Sequence, residues 1–179
     1  MALIPIICIP DPVLREVAAP VGEVTDGVRR LLDDMVETMY DAPGIGLAAP
    51  QVNVSERLIV MDCGADDLPE LYKMINPEII ARSEDSAILE EGCLSIPKQT
   101  AEVKRPAVVD VRYTDIEGAE QTLRCEGLLA ACLQHEIDHL DGVLFIDHIS
   151  RLKRDMIVRR ALKEPVSYTH LRAHETLLD

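Results

Sequence analysis

Aromatic side chains are nearly missing. The 179-residue chain has no Trp, one Phe and four Tyr, so aliphatic side chains and Met must fill its core. Positive charge is also scarce, with 18 Lys and Arg against 32 Asp and Glu. The net charge of −14 excludes a surface built to bind DNA or RNA over its whole extent. No apolar run approaches the roughly 20 residues needed to cross a bilayer, so no membrane span is expected. Residues 1–8 are apolar but lack a basic start and meet Pro5 and Pro10. They read as a first strand, not a secretory leader. Five cysteines, an odd number without such a leader, point to reduced thiols and a cytoplasmic protein. There is no G-x-G-x-x-G, no G-K-[ST], no repeat and no linker, which removes the common phosphate loops and a multidomain layout.

What is present is concentrated in residues 128–140. His135-Glu136-Ile137-Asp138-His139 is an H-E-x-x-H pattern, flanked by Leu128, Leu129, Cys132, Leu133 and Leu140 at helical spacing. On a helix, residues four apart share a face, so both imidazoles can meet one metal ion, with Glu136 beside them to handle a water. Asp141-Gly142 supplies the stop. A catalytic site of this kind takes a third protein ligand and leaves one position open. Asp147 and His148 follow too closely to turn back easily. Cys93, after the bend allowed by Gly92, is the better candidate, because a thiolate binds iron or zinc strongly.

The remaining segments suggest one α+β domain over 1–164. Thr25 caps a helix to about residue 40, with Val28, Leu31, Leu32, Met35, Val36, Met39 and Tyr40 as its apolar stripe. Strands are expected over 57–62, 72–75 and 78–82, the last two hinged at Asn76-Pro77. A hairpin is expected over 107–113 and 119–125. The metal-binding helix spans 126–140, 143–146 is extended, and Ser150 caps a last helix to about 163. The strands fall mostly in one block, giving antiparallel or mixed sheets packed around a central metal-binding helix, with an N-terminal and a C-terminal helix. Residues 42–51, with two Gly and two Pro, form a small, apolar, shaped loop suited to a pocket wall. Residues 166–176 match one reading frame of a common transposon-type sequencing adapter, so 165–179 is expected to be a non-native tail.

Three stretches taken together resemble peptide deformylases: Gly44-Ile45-Gly46-Leu47-Ala48-Ala49-Pro50-Gln51, Glu91-Gly92-Cys93-Leu94-Ser95 and Gln134-His135-Glu136-Ile137-Asp138-His139. That family carries G-φ-G-L-A-A-x-Q, E-G-C-L-S and Q-H-E-φ-D-H-L in this order. The resemblance runs from about residue 6 to 163. It implies a cytoplasmic hydrolase that removes the formyl group from N-formylmethionine on new polypeptides. It further implies one divalent metal on Cys93, His135 and His139, with Fe2+ as the physiological ion and Zn2+, Ni2+ or Co2+ also accepted. Glu136 is implied as general base and acid, and Gln51 and the Leu94 backbone N–H as oxyanion donors. Ile45, Gly46, Leu89, Gly92, Leu128, Ala131 and Cys132 are implied as the substrate pocket. Thr100 stands where some relatives have an Arg, and Arg105 is the nearest substitute unless it sits in a structural ion pair. Asp138 and Glu91 are candidates to support a ligating imidazole from behind, and Asp138 is also a candidate ion-pair partner for Arg105. By the same resemblance, the basic helix 151–163 is a candidate ribosome contact. The alternatives are a zincin-type metallopeptidase, which would not need Cys93, and a structural metal closed by a fourth ligand.

Overall fold

Residue by residue, strand β2 (Leu58–Asp62) turns its side chains to opposite faces of a sheet, and each face is covered by a helix. Leu58 and Val60 meet α1 (Asp26–Asp41) through Leu32, Met35 and Met39. Ile59 and Met61 meet α2 (Gly127–Leu140) through Leu133, Ile137 and Leu140. The computed structural model describes residues 2–163. The expected tail therefore lies outside the described residues.

The five-stranded sheet runs β1 (Gly46–Ala48), β2, β3 (Leu71–Arg82), β6 (Val108–Thr114), β7 (Glu120–Glu126), with every neighbouring pair antiparallel. A separate hairpin joins β4 (Ser86–Cys93) to β5 (Ile96–Pro106). The architecture is the expected α+β, with antiparallel sheets around α2. A third core cluster fastens the hairpin to the end of the chain. Ile96 and Val103 pack there with Leu144, Phe145, Ile146 and Ile157, the last on α3 (Arg151–Lys163).

Local chemistry sets the element ends. The Thr25 hydroxyl accepts from Val28 N (3.2 Å), capping α1. Leu32, Met35 and Met39 are fully buried on that helix, each contributing roughly 1.5–3 kcal/mol by the area removed from water. Tyr40, placed on the stripe by periodicity, is instead nearly half exposed and donates to Asp62. Gly142 ends α2 at φ +73°, where a Cβ would lie 2.5 Å from Arg15 O.

Three expectations need correction. Residues 2–8 form no strand. Pro5 removes a ladder donor, and several other N–H groups bond to side chains and loops instead of a neighbouring strand. Ala2 N donates to Asp34 and Ile4 N to the Thr38 hydroxyl; Ile7 N then reaches Gln51 O (2.7 Å) and Ile9 N reaches Ser95 O (3.0 Å). The segment is a strap over α1 and two site loops. Second, Asn76-Pro77 does not divide two strands: β3 is continuous and absorbs the proline in a register shift between Ile75 and Glu78. Asn76 takes φ +52° there, and its side chain pairs with both backbone groups of Val21 at 2.8 Å. Third, 143–146 is not extended throughout, because Phe145–His148 closes a 3-10 turn held by Leu144 N donating to Asp147.

Candidate metal centre and cleft

The β4–β5 turn carries Cys93 onto α2's buried histidine face. Cys93 Sγ lies 3.3 Å from His139 Nε2. One ligand atom from each of Cys93, His135 and His139 falls within 4.8 Å of the other two, and no other such group occurs among the described residues. A sulfur and two nitrogens this close are a donor set that fits a divalent transition metal. Asp147 and His148, the other candidates for a third ligand, are engaged elsewhere. Asp147 pairs with Arg15 (2.6 Å) and His148 with Asp138 (2.7 Å).

Behind the histidines stands a buried ionic chain. His135 Nδ1 contacts Glu91 Oε1 at 2.9 Å, which leaves Nε2 to face the cysteine. Glu91 receives both Nε and Nη2 of Arg105, at 2.6 and 2.9 Å, and Arg105 Nη1 reaches Asp138 at 2.9 Å. Asp138 thus holds Arg105 and His148, not a ligating imidazole. Arg105 is clamped with 6% of its side chain exposed, so it offers no cation to a peptide in the cleft. Burial alone would raise the Glu91 carboxyl, but the hydrogen bonds from Arg105 and His135 outweigh it and bring it down to about 2. For His135, burial opposes a proton, yet hydrogen bonds with Cys93 and Glu91 raise its pKa well above the usual imidazole value. His139 is lowered well below it, chiefly by burial, which favours the neutral form that ligates. The chain's one Phe, Phe145, stacks on His135 with ring centroids 6.0 Å apart and fixes its plane.

Glu136 is buried at 4% exposure, and its Oε1 has no partner among the described residues. Burial pushes its carboxyl up to about 7. Gly46 faces it across the cleft. A Cβ there would sit 2.5 Å from Glu136 Oε2 and 2.8 Å from Cys132 Sγ. Gly46→Ala is accordingly expected to cut turnover by 10-fold or more, on the order of the cost of a misplaced catalytic group. Thermal melting within a few degrees of the parent, together with full activity, would contradict this. Gln51 is buried at 1% and braced by Ala48 N (2.9 Å) and Ser95 Oγ (3.1 Å), while its Nε2 lies 3.7 Å from Cys93 Sγ.

These groups open into a cavity of about 370 Å³. Ile45, Gly46, Gln51, Leu89, Gly92, Cys93, Leu94, Leu128, Ala131, Cys132, His135 and Glu136 all line it, as does Thr100. His139 does not line it and sits behind the cysteine. Sequence reasoning missed Ser95, Phe145 and Lys98, which braces Gln51, stacks on His135 and lines the cavity, respectively. Only Ser95 lay inside a motif that could have flagged it.

A sequence profile of polypeptide deformylases matches residues 3–155. The chain belongs to that family. It is 57% identical over 166 residues to a peptide deformylase from Rhizobium meliloti, covering 91% of this chain and 94% of that one. A peptide deformylase from Rhodopseudomonas palustris (strain BisB5) is 54% identical over 177 residues, covering 94% and 99%. Among solved structures, peptide deformylase from Ehrlichia chaffeensis in complex with actinonin superposes with a TM-score of 0.86 at 39% identity, covering 93% of this chain and all of that one. The family is metal-dependent and hydrolyses the N-formyl amide of new peptides, and the zincin peptidase alternative is not favoured.

Proposed function

We propose that this chain removes the formyl group from N-formylmethionyl peptides, with Cys93, His135 and His139 holding one divalent ion, Fe2+ in its working form. The observation that carries this is the close sulfur–nitrogen–nitrogen set beside a buried Glu136 with one unpartnered oxygen. When bound, such an ion acidifies a water and polarises a carbonyl oxygen. The chain's own residues supply the rest. Glu136 Oε1 takes the proton of the attacking water and returns it to the leaving nitrogen, a task suited to a carboxyl near 7. Gln51 Nε2 and Leu94 N donate to the oxygen that gains negative charge. Leu89, Leu128, Ala131 and Cys132 supply the apolar wall for the methionine side chain, while Ile45, Gly46 and Gly92 offer backbone groups to an extended peptide.

Anaerobic purification followed by metal analysis and a formate-release assay tests the reading. Iron at about one equivalent is expected, with formate from formyl-Met-Ala and no turnover of acetyl-Met-Ala. Equal cleavage of the two, or cleavage of internal peptide bonds, would overturn it.

The reaction places the protein in the cytoplasm, where formylated chains are made; no described helix is long and apolar enough to cross a membrane. On α3, Arg151, Lys153, Arg154, Arg159, Arg160 and Lys163 stand against a single Asp155, a basic patch on an acidic protein. That patch fits the ribosome's phosphate backbone. Charge reversal at Arg159 and Arg160 is expected to weaken ribosome co-sedimentation about 10-fold or more at low salt and leave formate release from free peptide intact. Unchanged co-sedimentation would remove α3 from the contact.

A further inference from the structure

Cys63 and Cys132 stand together beside the cleft, apart from the three sulfur and nitrogen groups at the metal centre. The backbone brings them there. At the β1–β2 edge, Ile45 O accepts from Asp62 N (2.8 Å), and the Cys132 thiol donates to the same carbonyl (3.6 Å). Cys63, next after Asp62, packs against the same core cluster as Cys132. Alternation along the strand turns Cys63, like Ile59 and Met61, toward α2, the helix that carries Cys132. Cys63 is partly exposed and Cys132 is buried.

We propose that Cys63 and Cys132 form a dithiol that a hydroperoxide oxidises to a disulfide, and that this bond disables the cleft beside Glu136. The second part rests on the function proposed above. Cys63 is the more exposed of the two, so it is the group that meets the oxidant, and the neighbouring Cys132 thiol lowers its pKa from the ordinary thiol value. Cys125, by contrast, is buried and pushed up to about 11. The Cys63 thiolate attacks a peroxide oxygen. An S–O bond forms, the O–O bond breaks, and hydroxide leaves and is protonated to water. The Cys132 sulfur then attacks Cys63. An S–S bond forms, the S–O bond breaks, and a second water leaves with the Cys132 proton. Two thiols lose two hydrogens and one hydrogen peroxide becomes two waters.

The bond matters because Cys132 packs directly against Gly46. Its sulfur would be 2.8 Å from a Cβ on Gly46, and the same missing Cβ would touch Glu136. A sulfur drawn toward Cys63 leaves Ile45 O and disturbs the floor on which Gly46 and Glu136 rest.

The test uses zinc-loaded protein, so that no ferrous ion can be oxidised. Hydrogen peroxide is added, free thiols are alkylated, and cross-linked peptides are mapped by mass spectrometry. A Cys63–Cys132 cross-link is expected. Formate release should fall several-fold, return with dithiothreitol, and survive the same exposure in Cys63→Ser. Absence of that cross-link, or loss of activity in Cys63→Ser at the parent rate, overturns the proposal. If Cys63→Ser does not fold, Cys63→Ala takes its place. Should untreated protein release no formate, the functional reading fails, and the cross-link map still decides whether the dithiol exists.

Discussion

Glu136→Gln is expected to keep its metal and lose formate release by roughly 10²–10⁴-fold, the range for removing a positioned proton carrier. Glutamine has the same outline, which matters where Gly46 leaves no room for a larger group. The amide still fills the space but cannot accept a proton from water. The three candidate metal-binding side chains, Cys93, His135 and His139, are untouched, so metal content measured on the variant should match the parent. Activity within a few-fold of the parent would remove Glu136 from proton transfer. Loss of both metal and activity would recast it as a structural support.

Arg105→Ala carries the largest expected cost in stability. Arg105 and Glu91 expose only 6% and 7% of their side chains, and truncation strands a buried carboxylate. Breaking such a pair costs about 3–5 kcal/mol, and the low end applies because His135 still contacts Glu91. For a chain of this size that is a fall in Tm of roughly 6–12 °C. The same change frees Glu91 to drift from His135, so metal affinity should drop by about 10–100-fold. Arg105→Lys should recover part of the stability only, since one ammonium cannot serve both Glu91 oxygens and Asp138 at once. A parent-like melting curve for Arg105→Ala would show that the chain Asp138–Arg105–Glu91–His135 is not under tension from burial.

The parts legible in the sequence were those with a period or a short motif. The spacing of Leu128, Leu133 and Leu140 around the histidines announced α2, and Thr25 announced the start of α1. The β4–β5 hairpin was read only as a motif around Cys93. Its strands carry charge on both faces, with Glu90 opposite Glu102 on one and Glu91 and Arg105 on the other, so the alternation that betrays a half-buried strand is blurred. The opening strap was mistaken for a strand because local apolarity cannot reveal that its N–H groups are taken by α1 and by loops far along the chain. For the same reason, composition could not decide between a peptide contact and an ion pair for Arg105. Its partners lie 14 and 33 residues away, a distance no local pattern encodes.

Cys93 and His139 are 46 residues apart, and only the seating of the hairpin turn over α2 brings them together. An unfolded chain therefore has no such cage, and any cation it captures must favour the native form by mass action. Chelation and denaturation become linked equilibria in this molecule. Each drop in free metal lowers the midpoint of unfolding, and an apparently inert chelator acts on this chain as a mild denaturant.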